Sequence, residues 1–165
     1  MTPSFILALG VLLAPGGIPL PKHGGCLSAP LDDKLIVTMP FRGNNYPFEK
    51  IYGPHNGADF EALVGTKVLA SAAGVVVWAG AVRNGANVVD ISLPKGLKIR
   101  YGHLSKIRVK RGQRVRRGQF IGLSGGAVGA KGSGPITNGP HLHFELISDG
   151  ARIDPVPHFC PNAVP

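Results

Sequence analysis

Glycine and proline interrupt this chain more often than a long helix allows. The sequence contains 24 glycines and 15 prolines among 165 residues. In a helix interior, glycine costs about 1 kcal/mol and proline about 3 kcal/mol relative to alanine, and a helix needs several uninterrupted turns to be stable. The sequence therefore argues against a helical bundle and predicts a turn-rich, mostly β chain. Its length is that of a single domain.

Seven short runs rich in β-branched residues predict the strands. Turn residues bound nearly all of them, and no helical period is convincing. The runs span residues 34–39, 67–72, 74–82, 87–93, 97–104, 119–124 and 141–147. Hydrophobic residues make up 44% of the chain, which is enough for a core and argues against disorder. The pattern predicts an all-β fold, either an antiparallel β-sandwich or a barrel-like arrangement.

The first 33 residues differ in composition from the rest. Residues 4–14 form an apolar run as long as a secretory signal but shorter than the roughly 20 residues of a membrane-spanning helix. No Lys or Arg precedes Lys22, so the signal is atypical, and a buried strand is the alternative. Residues 15–33 are rich in proline and glycine, which is typical of a linker. We expect export to the periplasm or the extracellular cell envelope, without a transmembrane span.

The chain is strongly basic, with a formal net charge of +9, which favours an anionic partner. Aromatic residues make up only 7% of the sequence, too few for a base-stacking surface, so nucleic-acid binding is not expected. Anionic polymers of a bacterial wall fit the charge. Seven basic residues are concentrated in one stretch: Lys106, Arg108, Lys110, Arg111, Arg114, Arg116 and Arg117. The stretch is either a steering surface or a solvated hairpin, and its two Arg-Gly-Gln triplets predict tight reversals at glycine.

Four histidines and one aspartate lie in three short motifs: His55 and Asp59 in H-x-x-x-D, His103 in Y-G-H-L, and His141 and His143 in H-L-H-F-E-L. In a strand, residues i and i+2 point to the same face, so His141 and His143 are expected side by side, as are Tyr101 and His103. A lone histidine is more often an ordinary core or surface residue. Together, however, imidazoles and a carboxylate form the ligand set that zinc prefers, and three protein ligands with an open fourth position are typical of a catalytic site.

These motifs, in this order, resemble the lysostaphin and LytM type of zinc metallopeptidases, which cut peptides in bacterial peptidoglycan. The resemblance covers roughly residues 34–155 and includes a V-x-x-G-Q-x-V-x-x-G-Q-x-I-G string before the H-x-H motif. It implies the fold known as the duplicated hybrid motif. It also implies one catalytic Zn²⁺ ion, a peptidoglycan substrate and a metallopeptidase domain over residues 34–157, with a tail over 158–165. A monomer is expected.

The resemblance also implies a role for each candidate residue. His55, Asp59 and His143 would hold the zinc ion. His103 and His141 would be catalytic and face the scissile amide, and the sequence does not decide which of them is the base. Tyr101 is expected to orient His103 or line the substrate cleft, with packing on a neighbouring strand as the alternative.

One departure from the family pattern concerns the loop between Ser124 and His141, which is longer than usual. It predicts a remodelled cleft wall and leaves the substrate preference open. No separate wall-binding module is visible, so targeting is expected to depend on the charge of the domain or on a partner.

Two other functions compete with the hydrolase. The first is a catalytically weak LytM-like regulator that binds the wall or activates amidases. Such regulators usually lack the zinc ligands, whereas this sequence keeps the whole set. The second is a biotinyl- or lipoyl-type carrier domain, but no lysine occupies the expected tip of the hairpin.

The two cysteines, Cys26 and Cys160, flank the predicted domain. In an exported protein a disulfide between them is the leading interpretation. The alternative is a second zinc site formed with His23 and His158.

Overall fold

The structure is a computed structural model that describes residues 25–32, 35–44, 49–161 and 163. The apolar run at residues 4–14 and His23 lie outside these residues. The elements are β1 (Val37–Met39), α1 (Glu49–Tyr52), β2 (Ala58–Glu61), β3 (Lys67–Leu69), β4 (Gly74–Ala81), β5 (Asn87–Ser92), β6 (Leu97–Gly102), β7 (Lys106–Ile107), β8 (Arg114–Val115), β9 (Phe120–Leu123), β10 (His141–Ser148), β11 (Ala151–Ile153) and the 3₁₀ turn η1 (Val156–His158). The predicted all-β class is confirmed. No helix in the described part of the chain is long and apolar enough to cross a membrane.

Two antiparallel sheets make up the fold. The larger has the strand order β1-β2-β10-β6-β5-β4-β8, with β11 beside β10, and the smaller has the order β3-β9-β7. A strand forms within each of the seven predicted runs. Strands β2, β7, β8 and β11, which are two to four residues long, were not predicted. Of these, β2 matters most because it carries Asp59.

Strand β10 lies near the middle of the larger sheet and separates the core from the opposite face. Its alternate residues Leu142, Phe144 and Leu146 are buried in the hydrophobic core. Phe144 packs edge-on against Tyr101, with ring centroids 5.3 Å apart. Because side chains alternate along a strand, His141 and His143 are carried together on the other face, as the sequence predicted.

The two Arg-Gly-Gln triplets form the same turn twice. Gly112 and Gly118 have φ values of 85° and 74°, the positive φ that the sequence predicted. In each turn the glutamine side chain accepts a hydrogen bond from the backbone three residues earlier: Gln113 from the N–H of Lys110, and Gln119 from the N–H of Arg116. The turns do not form one hairpin, since β8 pairs with β4 while β9 pairs with β3 and β7.

The two flanks of the predicted domain meet at a disulfide. Cys26 and Cys160 are bonded, so their thiols are not available to a second zinc. Beside them, the N–H of Leu27 donates to the carbonyl of His158, and the N–H of Cys160 donates to the carbonyl of Leu27. Leu27 and Phe159 are buried in the core. The packed unit therefore extends beyond the predicted 34–157 boundaries on both sides.

Candidate metal centre

Strands β2 and β10 bring two of the three predicted ligands together. Asp59 and His143 are directly opposite each other in the ladder, and Asp59 Oδ1 lies 2.7 Å from His143 Nδ1. His55 precedes β2 and places its Nε2 3.1 Å from both Asp59 Oδ1 and His143 Nδ1. These three residues form a group that can hold a metal ion. The three side chains that the resemblance implied therefore converge.

Two glycines make room for this convergence. A Cβ at Gly57 would collide with the backbone carbonyl of Phe144, so β2 approaches β10 this closely only with glycine there. A Cβ at Gly102 would lie 3.2 Å from two atoms of the His143 side chain. Both positions therefore favour glycine for reasons of space, not turn geometry.

Each of the two candidate ligand histidines is oriented by a hydrogen bond from its other ring nitrogen. His55 Nδ1–H donates to the carbonyl of Pro40 at 3.0 Å. His143 Nε2–H donates to Glu145 Oε1 at 3.3 Å, and Arg152 Nε donates to the other oxygen of Glu145 at 2.8 Å. Such outer hydrogen bonds fix the tautomer and the ring orientation of a metal-binding histidine. They leave His55 Nε2 and His143 Nδ1 facing Asp59.

The types of donor atom and the distances between them fit a zinc ion. Two imidazole nitrogens and a carboxylate oxygen are common zinc ligands, with bonds of about 2.0–2.2 Å. A tetrahedral ion with such bonds separates neighbouring ligand atoms by about 3.3 Å, and the three donor atoms lie 2.7–3.1 Å apart. A small outward adjustment of the side chains accommodates the ion. Sequence reasoning missed Glu145, although its i+2 position from His143 on a strand places it on the same face.

The two predicted catalytic histidines lie beside the ligands. His103 and His141 have ring centroids 4.8 Å apart, and His141 Nε2 is 3.7 Å from Asp59 Oδ2. His103 Nδ1–H donates to the carbonyl of Ser133 at 2.5 Å, and His141 Nδ1–H donates to the carbonyl of Gly139 at 2.8 Å. Both acceptors belong to the long loop before β10. That loop therefore orients both imidazoles and leaves Nε2 of each free of the backbone.

Tyr101 does not share a face with His103, contrary to the sequence prediction. Strand β6 ends at Gly102, and His103 has a φ of 56°, so the chain leaves the strand geometry there and strand alternation no longer applies. Tyr101 is fully buried, and its hydroxyl accepts a hydrogen bond from the N–H of Ser71 at 2.7 Å. Burial raises the pKa of Tyr101 to about 12. Tyr101 is therefore a core residue and does not line the cleft.

The pKa of His143 is raised, whereas the pKa values of His103 and His141 are lowered. Burial alone would raise the pKa of Asp59, but hydrogen bonds from His143 and His55 hold it well below its usual range. Burial alone would lower the pKa of His143, but Asp59 and Glu145 raise it to about 9. For His103, burial and the neighbouring His143 and His141 lower the pKa to about 4. Burial also lowers the pKa of His141. At neutral pH, His103 and His141 are therefore neutral.

The raised pKa of His143 predicts that metal binding depends on pH. In the metal-free protein His143 carries a proton below about pH 9, and this proton must leave before Nδ1 can bind an ion. We expect affinity for Zn²⁺ to rise about tenfold per pH unit between pH 6.5 and 8.5 and to level off above pH 9.

The proton on His143 also stabilises the metal-free fold. This contribution to stability is complete below about pH 6.5 and is lost as the pH rises through 9. Chelator competition and thermal melts across this range measure both trends. A metal affinity that does not change with pH would contradict the assignment of His143.

The chain matches known proteins over most of its described length. Residues 53–155 match the sequence profile of Peptidase family M23. The chain is 43% identical over 126 residues to the peptidoglycan DD-endopeptidase ShyA of Vibrio cholerae. The aligned region covers 76% of this chain and 28% of that relative. The chain thus spans less than a third of the length of this curated relative.

Two solved structures share the fold and a moderate sequence identity. A zinc-containing peptidase from Vibrio cholerae superposes with a TM-score of 0.67 and 34% identity, covering 79% of this chain and 39% of that one. The antimicrobial peptidase lysostaphin from Staphylococcus simulans superposes with a TM-score of 0.61 and 31% identity, covering 81% of this chain and 53% of that one. The sheet order and the register that pairs Asp59 with His143 therefore occur in a fold that known peptidases also adopt.

Proposed function

Because the chain belongs to Peptidase family M23, we propose that it is a zinc-dependent endopeptidase that hydrolyses amide bonds in the peptide part of peptidoglycan. One observation carries the proposal. His55 Nε2, Asp59 Oδ1 and His143 Nδ1 converge within 3.1 Å of one another, beside two neutral imidazoles. The relative from Vibrio cholerae is named a peptidoglycan endopeptidase, which supports the same substrate class here.

The three donors support a catalytic and not a structural zinc site. A structural site closes with four protein ligands, whereas a catalytic site has three and leaves a position open. When bound there, zinc would polarise the scissile carbonyl and lower the pKa of a water molecule toward about 7. Glu145 and the carbonyl of Pro40 support the site by keeping the two ligand histidines in the required tautomers.

His103 and His141 are suited to moving the protons that amide hydrolysis requires. One proton must leave the attacking water, and one must reach the departing amine. Both side chains are neutral at neutral pH, and both have Nδ1–H bonded to a backbone carbonyl, so Nε2 is the atom that accepts a proton. An imidazole that has accepted a proton can return it to the amine. We assign this exchange to the pair.

The regulator alternative is not favoured. A domain that only binds the wall has no need of three converging ligands, or of the buried carboxylate that holds His143. The disulfide between Cys26 and Cys160 supports export to an oxidising compartment, because such bonds persist outside the cytosol. This supports the proposal that the enzyme acts in the cell envelope.

Hydrolysis of purified walls tests this proposal directly. The zinc-loaded protein is incubated with sacculi of several wall chemistries, and the released fragments are identified by mass and by their new amine termini. We expect at least one wall type to release peptides cut at an amide bond. The Asp59→Ala variant and the chelated wild-type protein serve as controls and should release none. If no wall type gained an amine terminus, the enzyme proposal would be wrong.

The basic stretch predicts how the domain finds a wall. All seven of its Lys and Arg residues are exposed, so salt screens their attraction to wall phosphates and carboxylates. The range of this attraction falls from about 10 Å at 0.1 M salt to about 3 Å at 1 M salt. We expect binding to intact walls to weaken at least about tenfold over this range, while hydrolysis of a short neutral peptide changes less than about twofold. Sedimentation with walls and a peptide assay measure the two effects.

A charge-matched pair of variants separates position from net charge. Replacing Arg111, Arg114, Arg116 and Arg117 together with glutamine should weaken wall binding as high salt does. The second variant replaces four basic residues elsewhere with glutamine: Lys50, Lys67, Lys95 and Lys98. It changes the net charge equally and should weaken wall binding less. Equal losses in the two variants would count against a localised steering surface.

A further inference from the structure

A row of four side chains crosses the larger sheet from the metal centre to an exposed tryptophan. The strand register places Trp78 opposite Asp90, Asp90 opposite Arg100, and Arg100 opposite Glu145. Directly opposite residues share a face of the sheet, and this is the face that carries His143. Neighbouring strands lie about 4.8 Å apart, so Trp78 is about 14 Å from Glu145 across three strand spacings.

The middle of this row is charged and fixed. Arg100 donates two hydrogen bonds of 2.8 Å to the carboxylate of Asp90, and Arg152 donates one of 2.8 Å to Glu145. The two carboxylates are buried, while the Arg100 and Arg152 side chains remain 24% and 41% exposed. The charges alternate in sign from Asp90 to Arg152, and of these four groups only the two guanidinium groups are partly exposed to solvent.

Two neighbouring hollows, together called the groove, adjoin along this row. Val82 and Arg100 line the hollow that contains His55, Asp59 and His143, and they also line the shallower hollow that contains Trp78. A ligand that occupies the metal centre can therefore extend along the sheet to Trp78.

Trp78 ends the groove with an apolar surface. Its side chain is 42% exposed, and the indole Nε1–H donates to the carbonyl of Gly80 at 3.2 Å. That bond uses the one polar atom of the indole and restrains the ring. What remains exposed is aromatic carbon, which packs against apolar faces and has no charge to attract an ionised group.

We propose that the indole of Trp78 binds a sugar ring of the glycan strand, while the charged row from Asp90 to Arg152 binds the stem peptide between that sugar and the scissile amide. This inference rests on the proposed function. A pyranose ring is uncharged and presents a face of C–H groups that packs on an aromatic ring. A stem peptide carries carboxylate groups, which match the partly exposed guanidinium groups of Arg100 and Arg152. The 14 Å between Trp78 and Glu145 equals about four residues of extended chain, the scale of a short stem.

Tryptophan emission gives a test that does not depend on hydrolysis. Trp78 is the single tryptophan of the chain, so its emission reports on this end of the groove alone. The zinc-loaded protein is titrated with an uncross-linked disaccharide-bearing stem peptide and with the same peptide without its sugars. We expect the sugar-bearing ligand to shift the emission to the blue and to bind at least about tenfold more tightly. Equal affinities for the two ligands, or an emission that neither ligand changes, would overturn the proposal.

Variants extend the test to turnover. For Trp78→Ala we expect the ratio of kcat/KM on sugar-bearing to sugar-free cross-linked peptides to fall about tenfold, mainly through KM. Trp78→Phe keeps an aromatic ring and should restore most of the ratio. Phe120→Ala is the matched control, since Phe120 is 37% exposed and lies on β9 in the other sheet, and it should keep the wild-type ratio.

The experiments distinguish a wrong enzymatic function from a wrong sugar site. If the wild-type protein hydrolyses no peptide, the proposed function is wrong, and the emission titration still decides whether the groove binds sugar. If the wild-type protein hydrolyses peptides while Trp78→Ala keeps the wild-type ratio, the sugar site alone is wrong.

Discussion

Replacing His143 with alanine is expected to abolish zinc binding and, with it, hydrolysis. His143 Nδ1 lies within 3.1 Å of the donor atoms of both Asp59 and His55, so its loss leaves two ligands for the ion. Changing a residue that merely supports a metal ligand costs about 10–100-fold in affinity, and the loss of a ligand itself should exceed about 100-fold. His55→Ala and Asp59→Ala should behave in the same way. Metal analysis after dialysis and chelator competition measure occupancy, and a peptide assay measures turnover.

His158→Ala is a suitable control for that experiment. His158 is a partly buried histidine in η1, outside the metal centre, so its variant should keep zinc. A thermal melt of each variant shows whether the fold survives. If His141→Ala lost zinc while His143→Ala kept it, the assignment within the H-x-H motif would be reversed.

Replacing His103 or His141 with alanine should give the opposite combination of results: zinc is retained and turnover is lost. Neither residue belongs to the group of converging ligand atoms, and each provides an imidazole that can move a proton. Positioned acid or base groups contribute about 10²- to 10⁴-fold to rate, so kcat/KM should fall by that factor in each variant. A variant that kept both zinc and wild-type turnover would remove that histidine from the mechanism.

The pH profile of the two variants distinguishes their roles. A general base acts in its neutral form, and the pKa of His103 is lowered to about 4 by burial and by its neighbouring histidines. That pKa is the one of the metal-free protein, so the profile is measured with zinc in excess at every pH. Activity that depends on a base then falls as the pH drops through the pKa of that base. The variant whose residual activity no longer falls on the acid side identifies the base, and the other histidine then serves the departing amine.

The sequence predicted the site to the extent that short-range geometry determines it. The spacing of His141 and His143 places them on one face because a strand has a period of two. The pairing of Asp59 with His143 depends on which strands are neighbours, and β2 is too short and too acidic for its composition to reveal a strand. Here the resemblance to a family supplied what local patterns do not contain.

Two features of the structure are not apparent from local sequence patterns, for physical reasons. Tyr101 and His103 were placed on one face because strand geometry was extended past Gly102, where His103 adopts a positive φ. The segment before residue 34 was interpreted as a linker because its proline and glycine content hides isolated apolar residues. Leu27 and Leu31 are nevertheless buried in the core. Isolated buried residues that do not recur at the spacing of a strand or a helix leave no signal in the sequence.

The disulfide brings the Cα atoms of Cys26 and Cys160 to within 4.6 Å of each other, across 134 positions of sequence. The bond closes the chain between the two cysteines into a covalent ring. When two points far apart in sequence lie this close together, a domain tolerates circular permutation. The registers that align Asp59, His143 and Arg100 lie wholly within this closed ring. A permuted variant opened in an exposed loop of this ring is therefore expected to keep the alignment of these three residues.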